Sequence, residues 1–321
     1  MSAISEPLLP YASGILATRA IIDAGVKGIG SQFREDAAVY QDRYYDSESK
    51  IVGITRGLRT VDVLLSGQIT ALDIGCGPGD ATFAILKMFP GAHVYATDLS
   101  PEMLDLLMSY ARSIGVADQI TAFIADASAV ALSDHAFDLV VGSSMIHHLL
   151  DPNPFMDRIL RSIRPCGAAL FYEPFQAGHI VLRTLFASIL QIAPYRPGLS
   201  ERRAKFFSDY IITIDAMCRE ERDPIFYASL DDKWMFPIAV FRDAAKRNGC
   251  RVEIFGTNPL ENTFAIKIAD LLRQGLGDTD PLPEWCHDLI AETDRAISRP
   301  LKDELLIEGC VAFARQEPKQ I

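Results

Sequence analysis

Between residues 69 and 175, short apolar runs alternate with longer stretches whose apolar residues recur every three or four positions. The runs at 69–74, 92–97, 120–124, 137–142 and 168–172 are rich in β-branched and aromatic side chains and are bounded by turn residues. That pattern predicts strands. The run at 137–142 is nearly continuous, as in a strand buried on both faces. Helices are predicted over 81–89, 100–114 and 154–163. Ser100 followed by Pro101 is a helix start, with a hydroxyl to cap the first turn and a proline at its first position. Strand and helix alternating at this pitch give a parallel sheet.

The flanks read differently. Ile51, Ile54, Leu58, Val61 and Leu65 share one helical face, so a helix is predicted over 50–66 with Gly67 as its stop. Residues 1–50 are read as an N-terminal helical cap and 51–175 as the core. Residues 176–236 carry no convincing strand and read as a helical insertion after the fifth strand. Core-like alternation returns in 237–321, with a helix over 241–248, a strand near 252–255, helices over 263–275 and 283–297, and a last strand over 310–314. The expected fold is α/β: a Rossmann-like, doubly wound, seven-stranded sheet with an N-terminal cap and the insertion.

The chain has 321 residues, of which 49% are hydrophobic, enough for a sizeable core. Its net charge is −11 and its pI about 5.0, with no dense Lys/Arg stripe, so a nucleic-acid partner is not expected. Cysteines stand at 76, 166, 218, 250, 286 and 310 without a C-x-x-C pair. A zinc or disulfide framework is therefore not expected, and neither is a bound metal; a reducing cytoplasm fits. There is no signal-peptide pattern and no run of about 18 uncharged apolar residues, so no integral membrane association is expected.

The chemistry concentrates in Leu72-Asp73-Ile74-Gly75-Cys76-Gly77-Pro78-Gly79-Asp80, which lies between a predicted strand and a predicted helix. Glycines there let a ligand approach the backbone and permit positive φ. Charge decides which ligand. A pyrophosphate loop offers bare N–H groups at a helix N-terminus, where carboxylates would repel it. Here Asp73 ends the strand, and Asp80 takes the place of the third glycine of G-x-G-x-x-G. Two carboxylates suit an ammonium or sulfonium ligand. The segment resembles motif I of the class I S-adenosylmethionine (SAM) methyltransferases, whose donor is cationic and carries no phosphate.

That resemblance covers residues 60–175 well, the last strands moderately, and the cap and insertion hardly at all. It implies SAM as cofactor, held by Asp73, Gly75, Cys76, Gly77 and Gly79. Asp98, 19 residues past Gly79 at the end of the second strand, is placed to accept the ribose hydroxyls, with Leu99 against the adenine. Asp126 and Ala127, after the third strand, are assigned to the adenine amine and ring, and Ser143 to the cofactor rim. The segment Gly142-Ser143-Ser144-Met145-Ile146-His147-His148-Leu149-Leu150-Asp151-Pro152 resembles the post-strand motif of small-molecule members. His147 or His148 is a candidate base, and Tyr172 and Glu173 at the end of the fifth strand are candidates to remove a proton or orient an acceptor. The bland reading of each histidine is packing or capping. Tyr40, Tyr44, Tyr45 and Arg56 are further contact candidates, with packing the usual role of a tyrosine cluster.

The expected activity is methyl transfer to a small-molecule acceptor, with 1–50 and 176–236 as its cover. Residues 179–193 read as a packed helix, a lid over an apolar acceptor, or a membrane-surface helix; Arg183 alone gives too little basic face for the last. Two alternatives stay within SAM-type folds: an enzyme that cyclises or transfers the aminobutyryl group and releases methylthioadenosine, and a non-catalytic SAM-fold subunit. A nicotinamide oxidoreductase is disfavoured by Asp73 and Asp80. A homodimer is compatible with this reading.

Overall fold

A computed structural model of the chain describes residues 3–27, 33–34, 36–219 and 221–316, apart from the side chains of Tyr40, Arg43 and Tyr44. Its elements run β1 (Leu8–Ala12), β2 (Ile15–Thr18), α1 (Arg19–Ala24), α2 (Ala37–Tyr44), α3 (Ser47–Thr60), β3 (Thr70–Ile74), α4 (Asp80–Met88), β4 (His93–Asp98), α5 (Pro101–Ser113), β5 (Ile120–Ile124), β6 (Phe137–Ser143), α6 (Pro152–Ser162) and β7 (Ile163–Pro174). They continue with α7 (Gln176–Ile192), α8 (Glu201–Met217), α9 (Pro224–Ala228), α10 (Ile238–Asn248), β8 (Cys250–Gly256), α11 (Thr263–Leu276), α12 (Glu284–Ala296), α13 (Arg299–Glu304) and β9 (Glu308–Arg315). Contacts group the chain into two units: Met1–Glu173 with Ala239–Ile254 and Cys310–Ile321, and Pro174–Ile238 with Phe255–Gly309.

The first unit holds a sheet of order β1-β2-β5-β4-β3-β6-β7-β9-β8. The seven strands from β5 onward are the doubly wound sheet expected from the alternation, with the last strand between the fifth and sixth. The pairs β3–β4, β3–β6, β4–β5 and β6–β7 are parallel. Val94, Ala96, Leu139, Val140, Val141 and Leu170 are shielded from water, so these strands lie covered by helices on both faces. Helix α5 starts as its sequence predicts: Ser100 Oγ accepts from Met103 N at 3.2 Å, with Pro101 in the first turn. Helix α6 buries Phe155, Met156, Ile159 and Leu160, each worth about 1.5–3 kcal/mol relative to exposure.

Three expectations need correction. The N-terminal segment is not wholly helical: β1 and β2 form an antiparallel hairpin, and β2 joins β5 in parallel, which makes nine strands instead of seven. Ala12 pairs with Ile15 across Ser13 and Gly14, whose φ values of 45° and 83° are those of a type I′ hairpin turn. Helix α3 ends at Thr60, not at 66, because Asp62 turns the chain with φ 56°. Finally, residues 255–309 belong by contact to the same unit as the insertion and do not simply complete the core.

The second unit is helical. Leu182, Leu185, Phe186 and Ile189 of α7 pack with Phe207 of α8, Phe264, Ile268 and Leu272 of α11, and Cys286 and Ile290 of α12. Phe186 stacks on Phe207 at 4.2 Å. Arg183 forms a two-pronged pair with Asp215 at 2.9 and 2.8 Å. The stretch Gln176–Tyr195 is long and apolar enough to cross a membrane by length and composition, a point the sequence reading missed; here one side of α7 is taken up by a protein core. Trp234 stacks on Phe236 and lies beneath the Arg222 guanidinium, so it anchors its own segment.

Candidate functional site

The loop between β3 and α4 is shaped by glycines at which a side chain would be strained. Gly75 has φ 67°, and a Cβ there would lie 2.8 Å from Met145 Cβ. Gly79 has φ 104°, and a Cβ there would lie 2.6 Å from the Phe83 ring and 3.0 Å from Leu107. The backbone must therefore adopt a left-handed turn and sit against side chains at once, which only glycine allows. The N–H groups of Gly75 and Cys76 both donate to Thr97 O, at 2.8 and 3.0 Å, and tie the loop to β4. Cys76 is buried, with its thiol pushed up by burial and by the nearby Asp73 and Asp98 charges.

Three carboxylates converge on this loop. Asp73 is 2% exposed and accepts from Thr82 Oγ1 at 2.7 Å; burial raises its pKa to about 7, and the Asp80 charge pushes the same way. Asp80 Oδ2 accepts from Asp46 N at 3.1 Å. Its Oδ1 is buried with no hydrogen-bond partner among the described residues, and burial raises its pKa. Asp98 closes the set from β4, taking Gly77 N on Oδ2 at 2.9 Å and Ser100 N on Oδ1 at 2.8 Å. Burial raises Asp98 while these bonds lower it. Each Asp98 oxygen retains acceptor capacity for a hydroxyl.

The other assigned residues divide. Leu99 is half-buried beside Asp98. Asp126 is exposed and accepts from Ser128 N at 2.7 Å, a local capping geometry, while Ala127 O accepts from Arg158 at 3.0 Å. Ser143 Oγ accepts from Lys50 Nζ at 2.6 Å, and that ammonium stands 5.4 Å from the centroid of the Tyr172 ring. Lys50 also lowers both Asp73 and Asp80 electrostatically. Sequence reasoning missed Lys50, which reaches the site because α3 lies close to β7. Gly53 and Gly57 allow this approach: a Cβ on either would fall within 2.8 Å of Tyr172 or Leu170.

Tyr172 and Glu173 end the fifth core strand in different environments. The Tyr172 hydroxyl is held in a buried place against α3, and burial raises its pKa steeply, so it is poorly suited to take a proton. Glu173 is 2% exposed and holds the loop after β6. Its Oε1 accepts from Met145 N and Ile146 N at 3.0 and 2.8 Å; its Oε2 accepts from His147 N at 3.3 Å and lies 2.7 Å from His147 Nδ1. The bend is sharp, with Ser144 at φ 53° and its N–H donating to Tyr172 O. His147 is buried, whereas His148 is partly exposed and meets Phe33 edge-on at 6.2 Å. The His148 charge lowers Asp98. Tyr45 packs edge-on against Tyr110, and Tyr40 and Tyr44 lie outside the described side chains.

A strand, a positive-φ glycine turn, a helix opened by a carboxylate and a second carboxylate on the adjacent strand meet at the carboxyl end of the parallel sheet. Residues 71–167 match the family model described as a methyltransferase domain. Demethylmenaquinone methyltransferase of Lactobacillus johnsonii is 27% identical over 125 residues, 39% of this chain and 51% of that protein. Trans-aconitate 2-methyltransferase of Methylobacterium radiotolerans is 30% identical over 129 residues, 39% of this chain and 47% of that protein. The chain thus spans about half the length of these curated relatives. A chain from the complex between the Haloferax volcanii Trm112 methyltransferase activator and a methyltransferase has a TM-score of 0.50 at 14% identity, covering 88% of this chain and 95% of that one; it supports the fold. Residues 71–167 are thus similar to a methyltransferase domain.

Proposed function

We propose that the protein is a SAM-dependent methyltransferase acting on a small-molecule acceptor. The observation that carries this reading is the buried, unpartnered Asp80 Oδ1 beside Asp73 at the start of α4. A buried acceptor without a donor is costly, and an ammonium would supply the donor and the opposite charge. A phosphate there would meet two carboxylates. The relatives' named activities, on a quinone precursor and on trans-aconitate, support a small molecule as acceptor.

When bound, SAM supplies a methyl carbon activated by positive sulfur. The chain's residues hold and align. Asp98 accepts the ribose hydroxyls on its remaining lone pairs, Leu99 offers an apolar edge to the base, and Asp126 and Ala127 stand at the end of β5 for the adenine. Asp73 and Asp80 favour the cationic end, and Lys50 is the cation beside them that suits a carboxylate. Such alignment supplies on the order of 7–11 kcal/mol. Calorimetry with SAM and with NAD tests the reading: SAM is expected to bind and NAD not. Binding of NAD in preference to SAM overturns it.

A further inference from the structure

We propose that the helical unit carries a second ligand site, a cleft between α11 and α12 that takes a small molecule with an apolar body and a cationic end. The proposal stands apart from the methyltransferase reading and uses none of its residues. The cleft holds about 350 Å³ and is walled on one side by the loop between the two helices, residues 277–283. Small-molecule pockets have this size and are mostly apolar, with a few placed polar groups. The floor is Ile268 and Leu272 of α11, Leu282 of the loop and Ile290 of α12, all members of the unit's core. Each is at most 8% exposed. An apolar body seated on them exchanges water for a hydrocarbon wall.

The loop wall is pinned in place. Helix α11 stops at Gly277, with φ 63°, and Asp278 N–H donates to Leu272 O at 3.2 Å. Arg203 of α8, 7% exposed, then holds the loop. Its guanidinium donates to both Asp278 oxygens at 2.7 and 2.9 Å, to Pro281 O at 3.0 Å and to Asp280 O at 2.8 Å. A wall fixed before binding spares the ligand an ordering cost. Charge selects the ligand's polar end. Asp270, Asp278 and Asp280 line the cleft together with Arg273. Arg273 is 3.1 Å from Asp270, and Asp278 is committed to Arg203. The Asp280 carboxylate, on an exposed residue, forms no ion pair among the described residues. With Arg203 counted, the cleft keeps one net negative charge, which attracts an ammonium and repels a carboxylate.

Methyl NMR on the full chain with labelled isoleucine reads the floor of the cleft, with Ile268→Val and Ile290→Val assigning its two isoleucine signals. The ligands titrated are phenethylammonium, phenethyl alcohol and hydrocinnamate, which are similar in size and differ in charge. The pH is about 8, where an imidazole such as that of His287 at the cleft is neutral. The ammonium is expected to shift both signals saturably and to bind about fivefold tighter than the alcohol, the scale of one charge pair near water. The carboxylate is expected to bind weakest. Asp280→Asn should bring the ammonium and the alcohol within about twofold of each other. Ala269→Phe, at an exposed position of α11 that lines the cleft, should block all three ligands. Both replaced residues are exposed, so the fold is kept. The proposal is overturned if no ligand shifts the floor signals saturably, if the three bind alike or the carboxylate binds best, or if either variant leaves the wild-type affinities in place.

Discussion

Under the proposed function, Asp73 makes cofactor binding a proton-linked event. Its pKa is raised to about 7, chiefly by burial, so near neutral pH the unliganded site holds this carboxyl partly protonated. A ligand carrying an ammonium favours the ionised form, so binding expels the proton. With a free-site value near 7, about 0.9 of a proton is released per ligand at pH 6 and about 0.5 at pH 7. The apparent affinity follows from the same equilibrium: the fraction ready to bind falls from about 1/2 to about 1/11, a loss of roughly fivefold between pH 7 and pH 6. The assay is calorimetric titration of SAM at pH 6 and 7, each in two buffers of different ionisation enthalpy, so that the slope of heat against buffer enthalpy counts protons. Asp73→Asn should abolish the pH dependence that Asp73 contributes, and methylthioadenosine, which lacks the ammonium, should show little proton release in the wild type. The reasoning fails if SAM releases no proton at pH 6 and its affinity is flat across this range, or if Asp73→Asn leaves the linkage untouched.

The same group sets a stability trend. A carboxyl whose folded value is raised makes the folded state bind more protons, so stability falls as pH rises from the ordinary carboxylate range through about 7. Asp73→Asn should thus stabilise the unliganded protein by on the order of 1–4 kcal/mol at pH 8 and by much less at pH 4, read by urea titration at the two pH values; equal effects at both would count against the burial argument. Asp98→Ala removes a charged acceptor and strands Gly77 N–H and Ser100 N–H, so SAM affinity should fall roughly 10–150-fold, and an unaltered calorimetric affinity would reject the ribose role. Lys50→Ala should weaken SAM more than decarboxylated SAM in the same titration; equal losses would argue that Lys50 does not face the carboxylate. Gly79→Ala forces a Cβ into the Phe83 ring at positive φ and should cost about 2–4 kcal/mol of stability, so an unchanged melting temperature would mean the turn is not as described.

What the sequence made legible was local. The strand–glycine–helix order around Gly75 and Gly79, the carboxylate at Asp98 and the cap at Ser100 each follow from a few neighbouring residues, and each stands where expected. The N-terminal hairpin was missed, although its turn had a signal: Ser13-Gly14 between two short apolar runs is hairpin chemistry. Contacts between distant residues carried no signal at all. Lys50 meets Ser143 across 93 positions only because glycines at 53 and 57 let α3 approach β7. Glu173 finds His147 across 26 positions only through the parallel register of β6 and β7. From the sequence Glu173 and the two histidines were separate candidates. The fold joins one histidine to the carboxylate and leaves Tyr172 buried.

The central claim is that the acidic glycine loop holds a cationic nucleoside. A competition titration tests it most directly: the protein is loaded with S-adenosylhomocysteine, which keeps the ammonium, and challenged with NAD. The account expects S-adenosylhomocysteine to bind and to resist displacement by a hundredfold excess (about 10²) of NAD, since Asp73 and Asp80 repel a pyrophosphate. Failure of S-adenosylhomocysteine to bind, or its ready displacement by NAD, would contradict the account.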